Sequence, residues 1–307
     1  MAPRNTTLGR TGLTVSRLAL GTAALGLEYG IPQPGQTLRP DPVSAERLLE
    51  RALELGVTLL DTARAYGESE AIIGRALASR RSEFTLATKV AAAPGDPQRV
   101  RESVEASLRA LRTGVLDIVQ IHCTPQETKP DPTTTDVLLE CRDRGWIRFL
   151  GVSVYGTEVA LAALQSGHFD VLQVAYNALD RRVAEHLLPA AGDAGAGVLA
   201  RSVLLKGALT GRYLYLDDSL NPLKAQVRQL EAIAVRESLT LPELAYRFVW
   251  GDPRVHCALS GAASIGELES TMDWVSRGPL PAHVVSEIGA LEMLGEQQLS
   301  PAHWKLE

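Results

Sequence analysis

Three apolar runs each end in an ionisable side chain, and a phenol follows one of them. Leu59-Leu60-Asp61 closes in a carboxylate with Tyr66 five residues further on, residues 84–89 close in the ammonium of Lys89, and residues 116–122 close in the imidazole of His122. A charge at the buried end of a strand is costly, so three such placements ask for a shared purpose. A free phenol, with a pKa of about 10, is a poor proton donor at neutral pH, but an adjacent ammonium favours its ionised form. In that arrangement Asp61 holds Lys89 in place and charged, Lys89 tunes Tyr66, and His122 donates a hydrogen bond that aims a substrate oxygen. The set suits a carbonyl receiving a hydride. Taken singly, each residue also has an ordinary use: a loop cap, an ion-pair partner, a satisfied core histidine, a packing ring.

The four residues can meet only if the strands that carry them are parallel neighbours. Strand candidates cover residues 18–22, 57–61, 84–89, 116–122, 147–153, 171–176, 197–202 and 255–260. Between them lie helical patterns. Ser44 reads as an N-cap, with Leu48, Leu49, Ala52 and Leu55 at helical spacing and Gly56 as a left-handed stop. Residues 69–78 and 97–111 follow, and further helical patterns centre near Leu138, Ala162, Leu187, Leu230 and Leu268. Strands separated by helices imply right-handed parallel crossovers, and eight such units close into a (β/α)8 TIM barrel whose carboxyl-end rim gathers the strand ends. Residues 7–16 form an N-terminal β-hairpin around a glycine turn. Helices at 242–248 and 284–294 fall outside the alternation and decorate the barrel as extra C-terminal helices. No composition break divides the chain, so residues 1–307 read as a single barrel domain. The connection over residues 26–42 is long for a strand-to-helix loop and carries Tyr29, and the otherwise polar tail carries Trp304.

With 307 residues, 22% of them charged, and a formal net charge of −5, the chain has no basic field that would favour nucleic acid or an anionic membrane. No apolar run approaches the length of a membrane span, and the stretch from Met1 to Thr7 lacks the apolar core of a signal peptide. A small molecule is the expected partner, and oligomeric state is left open. Cys123, Cys141 and Cys257 are far apart, as befits free thiols in a reducing compartment, and the cytoplasm is the expected location. Strand alternation turns Cys123 away from His122, toward packing. Gly192, Gly195 and Gly197 follow a helix and precede a strand, the reverse of a dinucleotide fingerprint, and read as a helix stop and tight turn.

Asp61, Tyr66, Lys89 and His122, with Gly67-Glu68-Ser69-Glu70 after the tyrosine, resemble the tetrad of the aldo-keto reductases in its usual strand contexts. The similarity runs from Leu8-Gly9-Arg10-Thr11-Gly12-Leu13 to the Gly261 region. It implies NAD(P)H-dependent, reversible reduction of an aldehyde or ketone, with Tyr66 as general acid/base, Lys89 and Asp61 tuning it, His122 orienting the carbonyl, and no metal. Leu20-Gly21-Thr22, Glu28-Tyr29-Gly30-Ile31 and residues 200–207 resemble a bacterial branch met beside sugar and surface-polysaccharide genes, which implies sugar-like carbonyls.

The same resemblance implies NADP(H) at the barrel mouth. Gly21 and Thr22 would touch it from the first barrel strand, Ser153 and Gln173 would face the carboxamide, and Tyr176 would stack on the nicotinamide ring. Ser202, Leu204, Lys206 and Gly207 match the pyrophosphate side. Ser260, Gly261, Ala262, Ser264 and Glu267 match the segment that cradles the adenosine 2′-phosphate, with Ser264 capping a helix there. Tyr29 and Trp304 are the candidates for substrate contact. The chain departs from the family where Val154 replaces an asparagine and Val203 a proline. It departs most between Ser260 and Asp273, where no Lys or Arg occurs and Glu267 stands in place of a basic or amide residue. A carboxylate repels a phosphate, so acceptance of NAD(H) is expected. Two other readings stand beside the reductase: a Schiff-base aldolase using Lys89, which a neighbouring Asp61 disfavours by keeping the amine charged, and a non-catalytic dinucleotide-sensing protein.

Overall fold

The eight apolar runs pair in parallel and close on themselves. In the computed structural model, which describes residues 4–306, the barrel strands are β3 (Leu18–Gly21), β4 (Leu59–Asp61), β5 (Thr85–Ala91), β6 (Leu116–His122), β7 (Ile147–Ser153), β8 (Val171–Ala175), β9 (Gly197–Arg201) and β10 (Cys257–Ser260). Their order is β10-β3-β4-β5-β6-β7-β8-β9, each strand parallel to its neighbours. Met1 to Pro3, at the start of the stretch read for a leader, and Glu307 lie outside the described residues. No described helix is long and apolar enough to cross a membrane.

Side chains alternate along a strand, so each strand serves two layers. Ala19, Leu59, Ala87, Ile118, Val171, Leu199 and Cys257 point inward and pack on one another as a buried plug. Two residues further along the same faces stand Gly21, Asp61, Lys89, Gln120, Gln173 and Arg201, with His122 one step beyond Gln120. Alternation therefore stacks the polar layer directly on the apolar one, at the carboxyl end. The outward residues, among them Leu20, Leu60, Leu86, Val119, Leu150 and Leu172, are buried against the surrounding helices.

A hairpin of β1 (Asn5–Thr7) and β2 (Thr14–Ser16) closes the opposite, amino-terminal end, with Leu8 and Val15 joining the plug. The glycines before β9 have a use here. A Cβ on Gly197 would stand 2.7 Å from the Leu8 side chain, and Gly195, at φ +65°, accepts from the Arg10 amide at 2.6 Å. They seat the hairpin.

Several element ends fall a few residues from the expected ones, and three departures bear on how the site is held. The first long helix is Pro42–Glu54, and its N-cap is Asp41, whose carboxylate accepts from Val43 N and Ser44 N at 3.0 and 3.1 Å. Proline at the first helical position supplies a ready φ and lacks the orphan N–H, which shifts the start ahead of Ser44. β5 runs on to Ala91, so Lys89 lies two residues inside its strand. Leu241–Gly251 is no decoration: it packs on β10 and on Ile265–Ser276, burying Leu244, Ala245, Tyr246 and Val249. It fills the place in the outer ring read for the helix around Leu230, which is Asn221–Arg236 and packs against it.

Candidate active site

The barrel brings the four ionisable residues together. Lys89 Nζ lies 2.5 Å from Asp61 Oδ2 and 2.9 Å from the Thr62 carbonyl, and it donates to Tyr66 Oη at 3.4 Å. Lys89 is fully buried and Asp61 nearly so. Burial alone would lower the lysine pKa, yet the Asp61 carboxylate and the Tyr66 oxygen hold it above its ordinary value, so the ammonium is charged. The second Asp61 oxygen accepts from Gln120 Nε2 at 3.0 Å and from Gln173 Nε2 at 2.8 Å. A buried carboxylate with a cation and two amide donors is a satisfied one. His122 meets the Tyr66 ring edge-on, with centroids 5.9 Å apart. Burial, assisted by the charges of Lys89 and Arg201, pushes its pKa down to about 3, so the imidazole is neutral and offers one N–H.

The loop that carries Tyr66 is fixed by close backbone approach. A Cβ on Gly26 would stand 1.8 Å from the Tyr66 carbonyl oxygen, so only glycine fits against this turn. Gly67, at φ +54°, adopts the left-handed conformation that turns the chain away after the phenol. Ser69 then ties the loop to two strands: its hydroxyl lies 2.7 Å from Thr22 Oγ1 and 3.0 Å from Thr62 Oγ1. Glu70, also buried, accepts from Thr88 Oγ1 at 2.6 Å and pairs with Arg64. The Gly67-Glu68-Ser69-Glu70 run is thus a brace for the phenol.

Tyr66, His122 and Asp61 open onto a cleft of about 820 Å³, large enough for an extended ligand. Gly21, Tyr29 and Gln173 line it, as do Ser202, Leu204, Lys206 and Gly207 on one side. Ser260, Gly261, Ala262, Ser264 and Glu267 line the other end. Ser202, Leu205 and Lys206 hold φ of +60°, +45° and +56°, unusual for residues with side chains. Such strain costs about 1–3 kcal/mol per residue. Ser264 caps Ile265–Ser276 by accepting from Glu267 N at 3.3 Å, while Glu267 Oε2 accepts from Ala263 N at 2.8 Å. The two bonds tie the helix start together from both sides, with the carboxylate reaching back past the N-cap to the residue before it.

Four expected ligand contacts lie elsewhere. Tyr176 does not face the cleft: the inward positions of β8 are 171 and 173, and Tyr176, three residues past the inward Gln173, turns its ring toward Phe248 and donates to Asp252 Oδ2 at 2.9 Å. Trp304 is buried in the outer core and donates its indole N–H to the Gln298 carbonyl at 3.0 Å. Thr22 is fully buried and donates to the Asp61 carbonyl at 3.0 Å, supporting the site from behind. Ser153 is also buried, with its hydroxyl 3.4 Å from Gln173 Oε1. Cys123 is buried and turned outward, and burial raises its thiol to about 12.

Two residues escaped the sequence reading. Gln120 stands two before His122 in an otherwise apolar stretch, and that polar interruption was the available signal. Its room comes from Gly151, where a Cβ would stand 2.8 Å from Gln120 Cγ. Arg201, inward on β9, stands at the mouth with its guanidinium 4.3 Å from the centre of the Tyr155 ring.

Residues 17–292 match the aldo/keto reductase family. The aldo-keto reductase YhdN of Bacillus subtilis is 32% identical over 294 residues, covering 86% of each chain. The NADH-specific methylglyoxal reductase of Escherichia coli is 30% identical over 294 residues, covering 84% of this chain and 89% of that one. The holo form of aldo-keto reductase AKR11C1 from Bacillus halodurans superimposes with a TM-score of 0.76 at 28% identity, over 97% of this chain and 99% of that one.

Proposed function

The chain belongs to the aldo/keto reductase family, and from that premise we propose that it reduces a small aldehyde or ketone at the barrel mouth, taking NADH as a cofactor. The observation that carries this reading is the unbroken chain from Asp61 through Lys89 to the Tyr66 oxygen, beside a neutral His122 in an open cleft.

The cleft suits a nicotinamide dinucleotide: it is long, one wall is a strained loop with three left-handed residues that carry side chains, and the far end meets a helix start. Bound there, the dinucleotide supplies the hydride. Ser202, Lys206 and Gly207 are suited to its phosphates. At the helix start, however, Glu267 already satisfies the Ala263 amide with its own carboxylate. A 2′-phosphate would have to displace that carboxylate or lie against it, which supports NADH over NADPH.

Tyr66 gives its phenolic proton to the carbonyl oxygen, and the Lys89 ammonium, 3.4 Å away, stabilises the charge that grows on the phenol oxygen. His122 donates its one N–H to the same carbonyl oxygen and fixes its direction. Asp61, held by two glutamine amides, keeps Lys89 aimed. The aldolase reading loses support, because Lys89 is charged, fully buried and held by three acceptors, and an amine nucleophile must be free and neutral.

The test is Tyr66→Phe. It should lower kcat by at least about a thousandfold, while NADH binding measured by fluorescence stays within a few-fold of wild type. An unchanged kcat would remove Tyr66 from the reaction.

A further inference from the structure

Gln120 is a costly residue where it stands. It is fully buried on β6, in register with Lys89 on one side and Gly151 on the other, and its Nε2 crosses the barrel to donate to Asp61 Oδ1 at 3.0 Å. Its Oε1 is buried as well and finds no donor among the described residues. Turning the amide round would set that oxygen against the carboxylate, so the unpaired end is the consequence of the paired one. A hydrogen bond to a charged group gains about as much as a buried, unpaired acceptor loses, so stability alone gives no reason for an amide here. The barrel nevertheless makes room for it, because a Cβ on Gly151 would stand 2.8 Å from Gln120 Cγ.

The reason lies in the charge that the amide touches. Asp61 divides its oxygens: Oδ2 takes the Lys89 ammonium, and Oδ1 takes the Gln120 and Gln173 amides. In a dry interior an acid and an amine at such short range can exchange a proton and become a neutral pair, which needs less solvation. Each N–H aimed at Oδ1 favours the carboxylate over the carboxylic acid, and so holds the proton on Lys89. The two amides are not equivalent. Gln173 lines the cleft, where a ligand competes for it, whereas Gln120 is no part of the cleft wall and its side chain hydrogen-bonds to Asp61 alone among the described residues.

We propose that Gln120 is a positioning residue for proton transfer: it fixes the negative charge on Asp61 whether or not the cleft is filled, keeps the proton on Lys89, and thereby sets the pH range over which Tyr66 acts as a donor. The proposal rests on the reductase reading above. The other charged or titratable groups near this trio are His122, edge-on to Tyr66 and neutral, Arg201, and Tyr29, whose phenol is pushed up to about 12 by enclosure in the cleft. None of these three hydrogen-bonds to Gln120, so a change at Gln120 reaches the trio through Asp61.

The experiment is Gln120→Met, which keeps an unbranched side chain of similar length and removes the donor. Because the lost bond and the relieved acceptor offset each other, Tm should stay within about 5 °C of wild type. With Asp61 less stabilised, the lysine favours the ionised phenol less. The pH at which NADH-dependent reduction falls off on the alkaline side should therefore rise by about one pH unit. At neutral pH, kcat should fall about tenfold while KM for NADH and for the carbonyl stays within about threefold. An alkaline limb that does not move would overturn the proposal, and so would a variant that does not fold, since Gln120 would then be needed for structure. If wild type consumes no carbonyl, the reductase reading fails, and the charge on Lys89 is still measurable. The chain has only five lysines, so NMR of the lysine side-chain nitrogens can follow the Lys89 ammonium. Loss of that ammonium at a lower pH in Gln120→Met than in wild type upholds the role of Gln120, and equal titration overturns it.

Discussion

Replacing Glu267 by Gln separates two jobs that one side chain performs. The glutamine carbonyl can still accept from Ala263 N and Ser264 still caps the Glu267 amide position, so the helix start keeps its shape. Only the charge is lost. The side chain is exposed, so its interaction with a phosphate is set by water more than by protein. A 2′-phosphate seated at this helix start, roughly 5 Å from the carboxylate and carrying nearly two charges, would feel about 0.8 kcal/mol of repulsion per charge at a dielectric near 80, or roughly 1.5 kcal/mol in all. That is about a tenfold effect, trimmed by salt because the Debye length is about 10 Å at 0.1 M. Glu267→Gln should therefore raise kcat/KM for NADPH about tenfold relative to NADH, with a larger gain at low ionic strength and an unchanged Tm. Initial rates with both reduced cofactors and one carbonyl substrate, at two salt concentrations, make the measurement. An unchanged cofactor ratio would refute the electrostatic argument. So would a wild-type preference for NADPH above about a hundredfold, near 2.7 kcal/mol.

Lys89→Met leaves the Asp61 carboxylate buried with only amide donors, and should cost about 3–5 kcal/mol of stability in urea unfolding besides abolishing turnover; stability within about 1 kcal/mol of wild type would contradict the pairing. Gly26→Ala places a methyl group 1.8 Å from the Tyr66 carbonyl oxygen, so kcat should fall at least tenfold even where Tm drops only slightly, because the phenol must move; wild-type kcat would show that the turn yields without displacing it. For His122 the sign follows from its depressed pKa. The unfolded chain takes up the proton near pH 6.5 and the folded one near 3, so stability is lost as pH falls through that window, by up to about 1.4 kcal/mol per pH unit. Denaturation of wild type and His122→Gln between pH 4 and 6 should show a shallower slope for the variant, and equal slopes would place the wild-type imidazole in solvent.

Much of the site is legible from local pattern. Asp61 and His122 end their runs, Lys89 stands near the end of its own, and in parallel strands those ends share a rim whatever the details of the helices. The Ser264 cap is equally local, since it and the Glu267 amide it accepts from are three residues apart. Alternation alone also turns Cys123 outward. The same period counted from Gln173 turns Tyr176 away from the cleft, so that misplacement came from following a resemblance where the strand's own geometry disagreed.

What the chain order by itself determined is the barrel, its eight strands and the company of Asp61, Tyr66, Lys89 and His122, because residue type and spacing of two or 3.6 are enough to sort inward from outward faces. Only the folded structure decided that Gln120 and Gln173 both grip Asp61, that Gly26 must lack a side chain for Tyr66 to sit where it does, and that Arg201 faces the cleft without a carboxylate. Each of these depends on which atoms meet across the barrel from segments tens of residues apart. A side chain's partner, or its lack of one, is a property of packing in space that no spacing along the chain encodes.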